Sequence, residues 1–169
     1  GETAEQHLAY KLNRILPRDI AVCKIVKVRN DAHARFSATM RTYHYYVTLR
    51  KNPFLTKYHL RLTCPVDFRL MNEAAAMLLK TSFCTVTKAQ WVEMAEGEWR
   101  FEISADRFLR NMVRAVVGTL LDIGRGKTGI DELRGILDSR SRSRAGESVR
   151  GEALFLESVD YPEDIFAAQ

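Results

Sequence analysis

Arg107, Arg110, Asn111 and Arg114 recur at helical spacing in the stretch from Ala105 to Lys127. The other side of that stretch is apolar, through Leu109, Met112, Val113, Val116, Val117, Leu120 and Leu121. At about 100° per residue these form one wide stripe, so the segment reads as a helix packed on a core. Gly118 lies on the polar side, where an interior glycine costs roughly 1 kcal/mol against alanine. A first turn carrying Arg107 and Arg110 also runs against the helix dipole, which prefers acids there. A cationic face with a gap in it suits something large and anionic lying across it. The plain alternative is a solvated helix surface.

Other chemistry-bearing patterns are weaker. Gly124-Arg-Gly-Lys-Thr128 is phosphate-friendly, but it follows a helix and lacks the first glycine of a P-loop, and no G-x-G-x-x-G occurs. The three cysteines, Cys23, Cys64 and Cys84, are far apart, with no C-x-x-C. Neither a disulfide framework nor a metal site is indicated, and a reducing, cytoplasmic setting fits. No apolar run approaches the roughly 20 residues that span a membrane, and no signal peptide is evident. The net charge of +5 over 169 residues favours an anionic partner, nucleic acid first.

The elements around this helix follow from local pattern. Thr3 and Gln6 suit a capping box before a helix using Leu8, Leu12, Ile15 and Leu16, which Pro17 ends. Ile20, Val22, Ile25, Val26 and Val28 predict a strand, and Asn30-Asp31-Ala32 a turn. Thr42 to Leu49 predicts a strand with Tyr43, Tyr45, Val47 and Leu49 on one face. Asp67 caps a helix running to about Lys80. Thr85 to Met94 and Trp99 to Ser104 form a hairpin about Glu96-Gly97. Gly124 suits a left-handed C-cap for the central helix. Thr128 opens a short helix with Leu133, Ile136 and Leu137. Ser139 to Gly146 is a basic loop, and Leu154 to Val159 a last strand. The class is α+β, with a mixed, largely antiparallel sheet flanked by helices.

Four blocks then line up with one family. They are L-P-x-D-I-A-V from Leu16, A-R-F-S-A-T-x-R-x-Y-x-Y from Ala34, F-L-R-N-M-V-R-x-V-V-G from Phe108, and G-E-A-L-F-L-E-S-V-D-Y-P from Gly151. In order and in content they closely resemble the bacterial tRNA pseudouridine synthase A family. The resemblance implies the pseudouridine synthase fold and isomerisation of uridine to pseudouridine in the tRNA anticodon stem-loop. It implies no cofactor, no metal, and a homodimer holding tRNA across both subunits. Tyr43 matches the tyrosine that stacks on the target base, its phenol a candidate to handle the C5 proton. Arg114 matches the arginine that pairs with the catalytic aspartate. Leu154 matches the apolar residue on the base's other side. Arg35, Arg41, Arg107, Arg110 and Arg142 are expected to contact the RNA.

Three departures accompany the match. The family's aspartate-bearing G-R-T-D-A-G-V-H is absent; Arg29-Asn-Asp-Ala-His33 lacks its glycine, so Asp31 reads as a turn residue. The loop expected after Thr81-Ser-Phe83 is short, implying residues missing between Lys80 and Thr85. Ala153 stands where the family pattern has glycine. The chain therefore reads as a C-terminal portion of such an enzyme, inactive alone. Residues 1–50 would be the remainder of an N-terminal subdomain and 51–169 a C-terminal one. The alternatives are a non-catalytic RNA-binding module, whose cations clamp phosphates, and, more weakly, an oligomerisation domain.

Overall fold

The computed structural model describes residues 3–80, 84–138 and 147–166. The expected gap after Lys80 and the basic loop with Arg142 fall on residues outside that set. The chain packs as two compact units, one of residues 1–37 and 161–169, the other of residues 38–160. The 1–50 and 51–169 subdivision remains an expectation of the resemblance, separate from these two packed units.

In the smaller unit, α1 (Ala4–Ile15) begins at the expected capping box, where Thr3 and Gln6 each accept the other's backbone N–H. The strand predicted over Ile20 to Val28 does not form. Val22 instead bonds the Asn13 side chain in both directions, at 2.7 and 2.8 Å, and only Val28 makes a bridge, to Phe166. Branched residues favour a strand only where a neighbour supplies the ladder. Asp31 sits in the turn read for it, 3.3 Å from the Arg29 guanidinium.

The larger unit holds β1 (Met40–Thr48), β2 (Leu60–Arg61), α2 (Phe68–Met77, continued by a 3₁₀ turn Leu78–Lys80), β3 (Val86–Ala95), β4 (Glu98–Ala105), α3 (Met112–Gly124), α4 (Ile130–Asp138) and β5 (Leu154–Asp160). β1 lies between β4 on one side and β5 on the other, both antiparallel, with a short parallel pairing to β2 at its end. β3 completes the hairpin with β4 through Gly97, whose φ of 75° the turn requires. This is an α+β fold with a mixed, largely antiparallel sheet. Tyr45, Phe101 and Trp91 are opposite one another on one face, and α2 and α3 share their core through Met71, Ala74, Val117, Leu120 and Leu121.

Two helix boundaries differ from the sequence reading. α3 starts at Met112, not Ala105, because Ala105 is still paired in β4 and Asp106 is tied to Thr85 through its side chain, at 2.9 Å. Asn111 then turns left-handed (φ 64°), which a helix interior cannot contain. Arg107 and Arg110 thus lie in the approach to the helix and not in its first turn, and Leu109 is 65% exposed instead of joining the apolar stripe. At the other end the left-handed glycine is Gly126, not Gly124. Gly124 is needed for a different reason: a Cβ there would overlap the Met71 sulfur and lie 3.3 Å from Val66 Cβ. In α4, Leu133 is buried as expected; the Ile136 and Leu137 side chains are outside the described set.

The opposite face of the sheet carries an ionic cluster. Glu102, 4% exposed, pairs with Lys88 and Arg100, while His44 lies 3.9 Å from Glu102 and 3.3 Å from Glu157. Burial alone would raise the Glu102 carboxyl, but hydrogen bonds from Lys88, Gln90 and Arg100 hold it at about 2, against an ordinary 4.5. Stability from a depressed carboxyl is fully present above the unfolded value and drains as pH falls toward the folded one. Lys88 is half-exposed, so solvent screens part of the gain. Glu102→Gln is expected to cost about 2 kcal/mol at neutral pH. It should also flatten the loss of stability between pH 4.5 and 2, as read by urea unfolding across that range.

Candidate active site

β1 positions Tyr43 by alternation. It points to the same face as Tyr45, about 7 Å further along the strand. It is half-buried and stands opposite Ile103 of β4 and Leu156 of β5. The Phe108 ring meets it edge-on, with centroids 5.1 Å apart and planes at 88°. Phe108 lies in the approach to α3, so the residues that failed to be helix serve to brace this tyrosine.

Leu154 opens β5 directly opposite Tyr45 and is half-buried on that same face. Its backbone N–H donates to Gly151 at 3.1 Å. Ala153 is fully buried in the core, so a methyl is accommodated at the position where the resemblance expects glycine, and its carbonyl accepts from Tyr46 at 3.1 Å.

Arg114 comes from the first turn of α3 and is half-buried. Its Nε donates to the Val149 carbonyl at 2.6 Å, and Val149 N–H returns a bond to the Arg114 carbonyl at 3.2 Å. Its guanidinium lies beside Gly151 and acts on the Tyr45 phenol. Among the described residues no carboxylate pairs with it.

Tyr45 is therefore the common neighbour of the three, a role the sequence reading had not seen. It has no exposed surface, and its phenol donates to the Arg150 carbonyl at 2.8 Å. Burial and then Glu152 push its ionisation up, with Arg114 and Arg150 opposing. The only sequence signal was its place in the alternation of β1.

The strap Glu147–Gly151 also explains Gly118. The gap on the polar side of α3 is not open to an external ligand: the strap's own backbone fills it, and a Cβ at Gly118 would overlap the Glu147 carbonyl oxygen. Asn111 joins the same strap, its Nδ2 donating to Ser148 Oγ at 2.6 Å.

The remaining cations are dispersed. Arg41 is half-buried, its Nη1 donating to the carbonyls of Ala38 (2.9 Å) and Asp106 (2.6 Å). Arg107 and Arg110 are exposed before α3. Arg35, in the smaller unit, is exposed and stands 5.8 Å from the Phe36 ring centroid. Arg142 lies outside the described residues. Among the described residues there is no His, Cys, Asp and Glu group arranged to hold a metal ion, and no helix long and apolar enough to cross a membrane.

A tyrosine ring and a leucine on one sheet face, with a guanidinium near them, have the chemistry to hold a flat ring next to negative charge. A family profile described as tRNA pseudouridine synthase matches residues 66–162. The chain is 49% identical to tRNA pseudouridine synthase A of Bacteroides fragilis over 94% of its own length and 69% of the relative's. It is 38% identical to the protein of that name from Bacillus subtilis, over 90% and 68%. The chain belongs to the tRNA pseudouridine synthase family.

Proposed function

We propose that this chain takes part in isomerising uridine to pseudouridine in the tRNA anticodon stem-loop. In this reading Tyr43 stacks on the extruded uracil and Leu154 contacts its other side, stacking being worth about 1–3 kcal/mol per base. Arg114 pairs with a catalytic aspartate, lowering its pKa by roughly 1–3 units so that it stays ionised. That aspartate comes from a G-R-T-D-A-G-V-H segment, which these 169 residues do not contain. The glycosidic bond breaks, the uracil turns, C5 bonds to the sugar in place of N1, and the C5 proton is lost while N1 gains one, with the Tyr43 phenol a candidate to handle the C5 proton. Neither metal nor cofactor enters, and the assembled enzyme is a cytoplasmic homodimer.

The observation that carries this reading is the gathering of Tyr43, Leu154 and Arg114 about Tyr45, with Arg114 lacking a carboxylate among the described residues. Arg35, Arg41, Arg107, Arg110 and Arg142 supply charge toward the RNA backbone. Filter binding of tRNA is expected to weaken steeply with salt. Arg110→Ala should weaken all tRNAs alike and lower the salt slope by about one. A loss confined to one tRNA sequence would instead assign Arg110 to base readout, and no salt-sensitive affinity at all would refute the RNA reading.

A further inference from the structure

The turn that follows β1 has no part in the site described above. From Leu49 to Val66 the chain carries Arg50, Lys51, Lys57 and Arg61 and not one acid. Arg50 pairs with Glu96, but Lys51, Lys57 and Arg61 have no ion-pair partner among the described residues. At the tip stands Phe54, 91% exposed, and after it Tyr58, 55% exposed.

The turn is ordered without help from that phenylalanine. Asn52 Oδ1 accepts from the Phe54 N–H at 3.0 Å, the Asn52 carbonyl accepts from Leu55 at 3.2 Å, and the Leu55 carbonyl accepts from Tyr58 and His59 at 3.1 and 2.9 Å. Leu60 then pairs with Val47, and Leu62 N–H donates to Thr48 at 2.8 Å. Behind the turn, Tyr58 meets Phe155 edge-on at 5.9 Å, and Tyr46 contacts both Phe155 and His59. The result is a fixed aromatic tip among unneutralised cations, on a base of packed rings.

We infer that this turn is a second RNA-contact surface, in which Phe54 stacks on an unpaired base while Lys51, Lys57 and Arg61 hold the adjoining phosphates. The inference rests on the RNA-binding reading above and adds a place to it. Aromatic faces interleaved with cations are the means by which proteins hold single-stranded nucleic acid without sequence readout. A second copy of the chain fits less well, because a two-fold contact through this turn would set its cations against their own images. The distance also suits RNA. Tyr43 and Thr48 lie on one strand about 17 Å apart but on opposite faces, so an RNA held at Tyr43 reaches the turn by passing round the Thr48 end of β1, a span of several nucleotide steps.

The test uses the 169-residue chain with an unmodified full-length tRNA transcript as probe. Phe54→Ala is expected to weaken binding about five-fold or more. Since Phe54 is almost wholly exposed, folding should not change, which circular dichroism checks. The combined Lys51→Ala, Lys57→Ala, Arg61→Ala variant should lower the salt slope by about two. Ultraviolet crosslinking should map to the peptide containing Phe54. If the unsubstituted chain binds tRNA and both variants bind it equally well, this surface is refuted while the RNA reading stands. If the variants instead change only the sedimentation equilibrium of the free chain, the turn is a self-association surface and the inference fails. No tRNA binding by the unsubstituted chain would overturn both.

Discussion

Gly118→Ala is expected to destabilise the chain by about 3 kcal/mol, although the same exchange in an ordinary helix interior stabilises by up to 1 kcal/mol. The sign reverses because of what lies against α3. An added Cβ would overlap the Glu147 carbonyl oxygen and come within 3.1 Å of its carbon. Both are backbone atoms, so no rotamer change relieves the overlap. The strap would have to move as a unit, and with it the two bonds between Val149 and Arg114 and the Asn111–Ser148 bond. Gly124→Ala provides the comparison. Its obstacles are Met71 Sδ and Cγ and, at 3.3 Å, Val66 Cβ, all side-chain atoms and none of them backbone, so its cost should be smaller. Urea unfolding of the two variants would rank them, and a Gly118→Ala protein as stable as the parent would refute the close packing of strap and helix.

No tritium should be released from tRNA labelled at uracil C5 when the 169-residue polypeptide is the only protein present. The proposed reaction uses a carboxylate at the glycosidic bond, and the G-R-T-D-A-G-V-H motif assigned to it is not in these 169 residues. Without that carboxylate, turnover is expected to fall below detection. Supplying a segment that bears G-R-T-D-A-G-V-H, joined to the chain, should restore release. Arg114→Ala in the joined protein should then reduce it strongly, because the aspartate would lose its cation. Turnover by the polypeptide alone would assign the chemistry to another Asp and overturn the roles given to Tyr43 and Arg114. Binding without turnover in the joined protein would favour the non-catalytic RNA-binding alternative.

Elements set by local chemistry were legible in the sequence. The Thr3/Gln6 box, the Asp67 cap with its 2.9 Å bond from Leu70, the alternation of β1 from Tyr43 to Val47 (Leu49, past the strand end, is exposed) and the Glu96–Gly97 hairpin all formed where residue pattern placed them. Elements set by distant partners were not. The branched run from Ile20 to Val28 has strand propensity but meets a side chain, Asn13, where a strand needs a backbone. The apolar spacing of Leu109 and Met112 extends the helical period past a boundary drawn by Asp106, Thr85 and the left-handed Asn111. Gly118 was conspicuous as a gap, but nothing local says whether a ligand or the chain itself fills a gap. At the candidate site, Tyr43, Arg114 and Leu154 were named through family resemblance. Phe108 stood inside the same motif without a role, and Tyr45 looked like any other core residue.

The strap acts on its surroundings largely through main-chain atoms. The Glu147 oxygen faces Gly118, Val149 meets Arg114 through its amide and carbonyl, and the Arg150 carbonyl receives Tyr45; of the side chains, Ser148 bonds Asn111, Val149 packs against the core and Arg150 pairs with Glu152. Every residue type except proline brings the same amide and carbonyl. Apart from Ser148 and the core-packed Val149, the main-chain contacts constrain residue identity less than they constrain the count. Removing or adding one residue between Glu147 and Leu154 would slide every carbonyl past its mate and reverse which side of β5 faces Tyr45. The segment behaves as a ruler, more tolerant of spelling than of length.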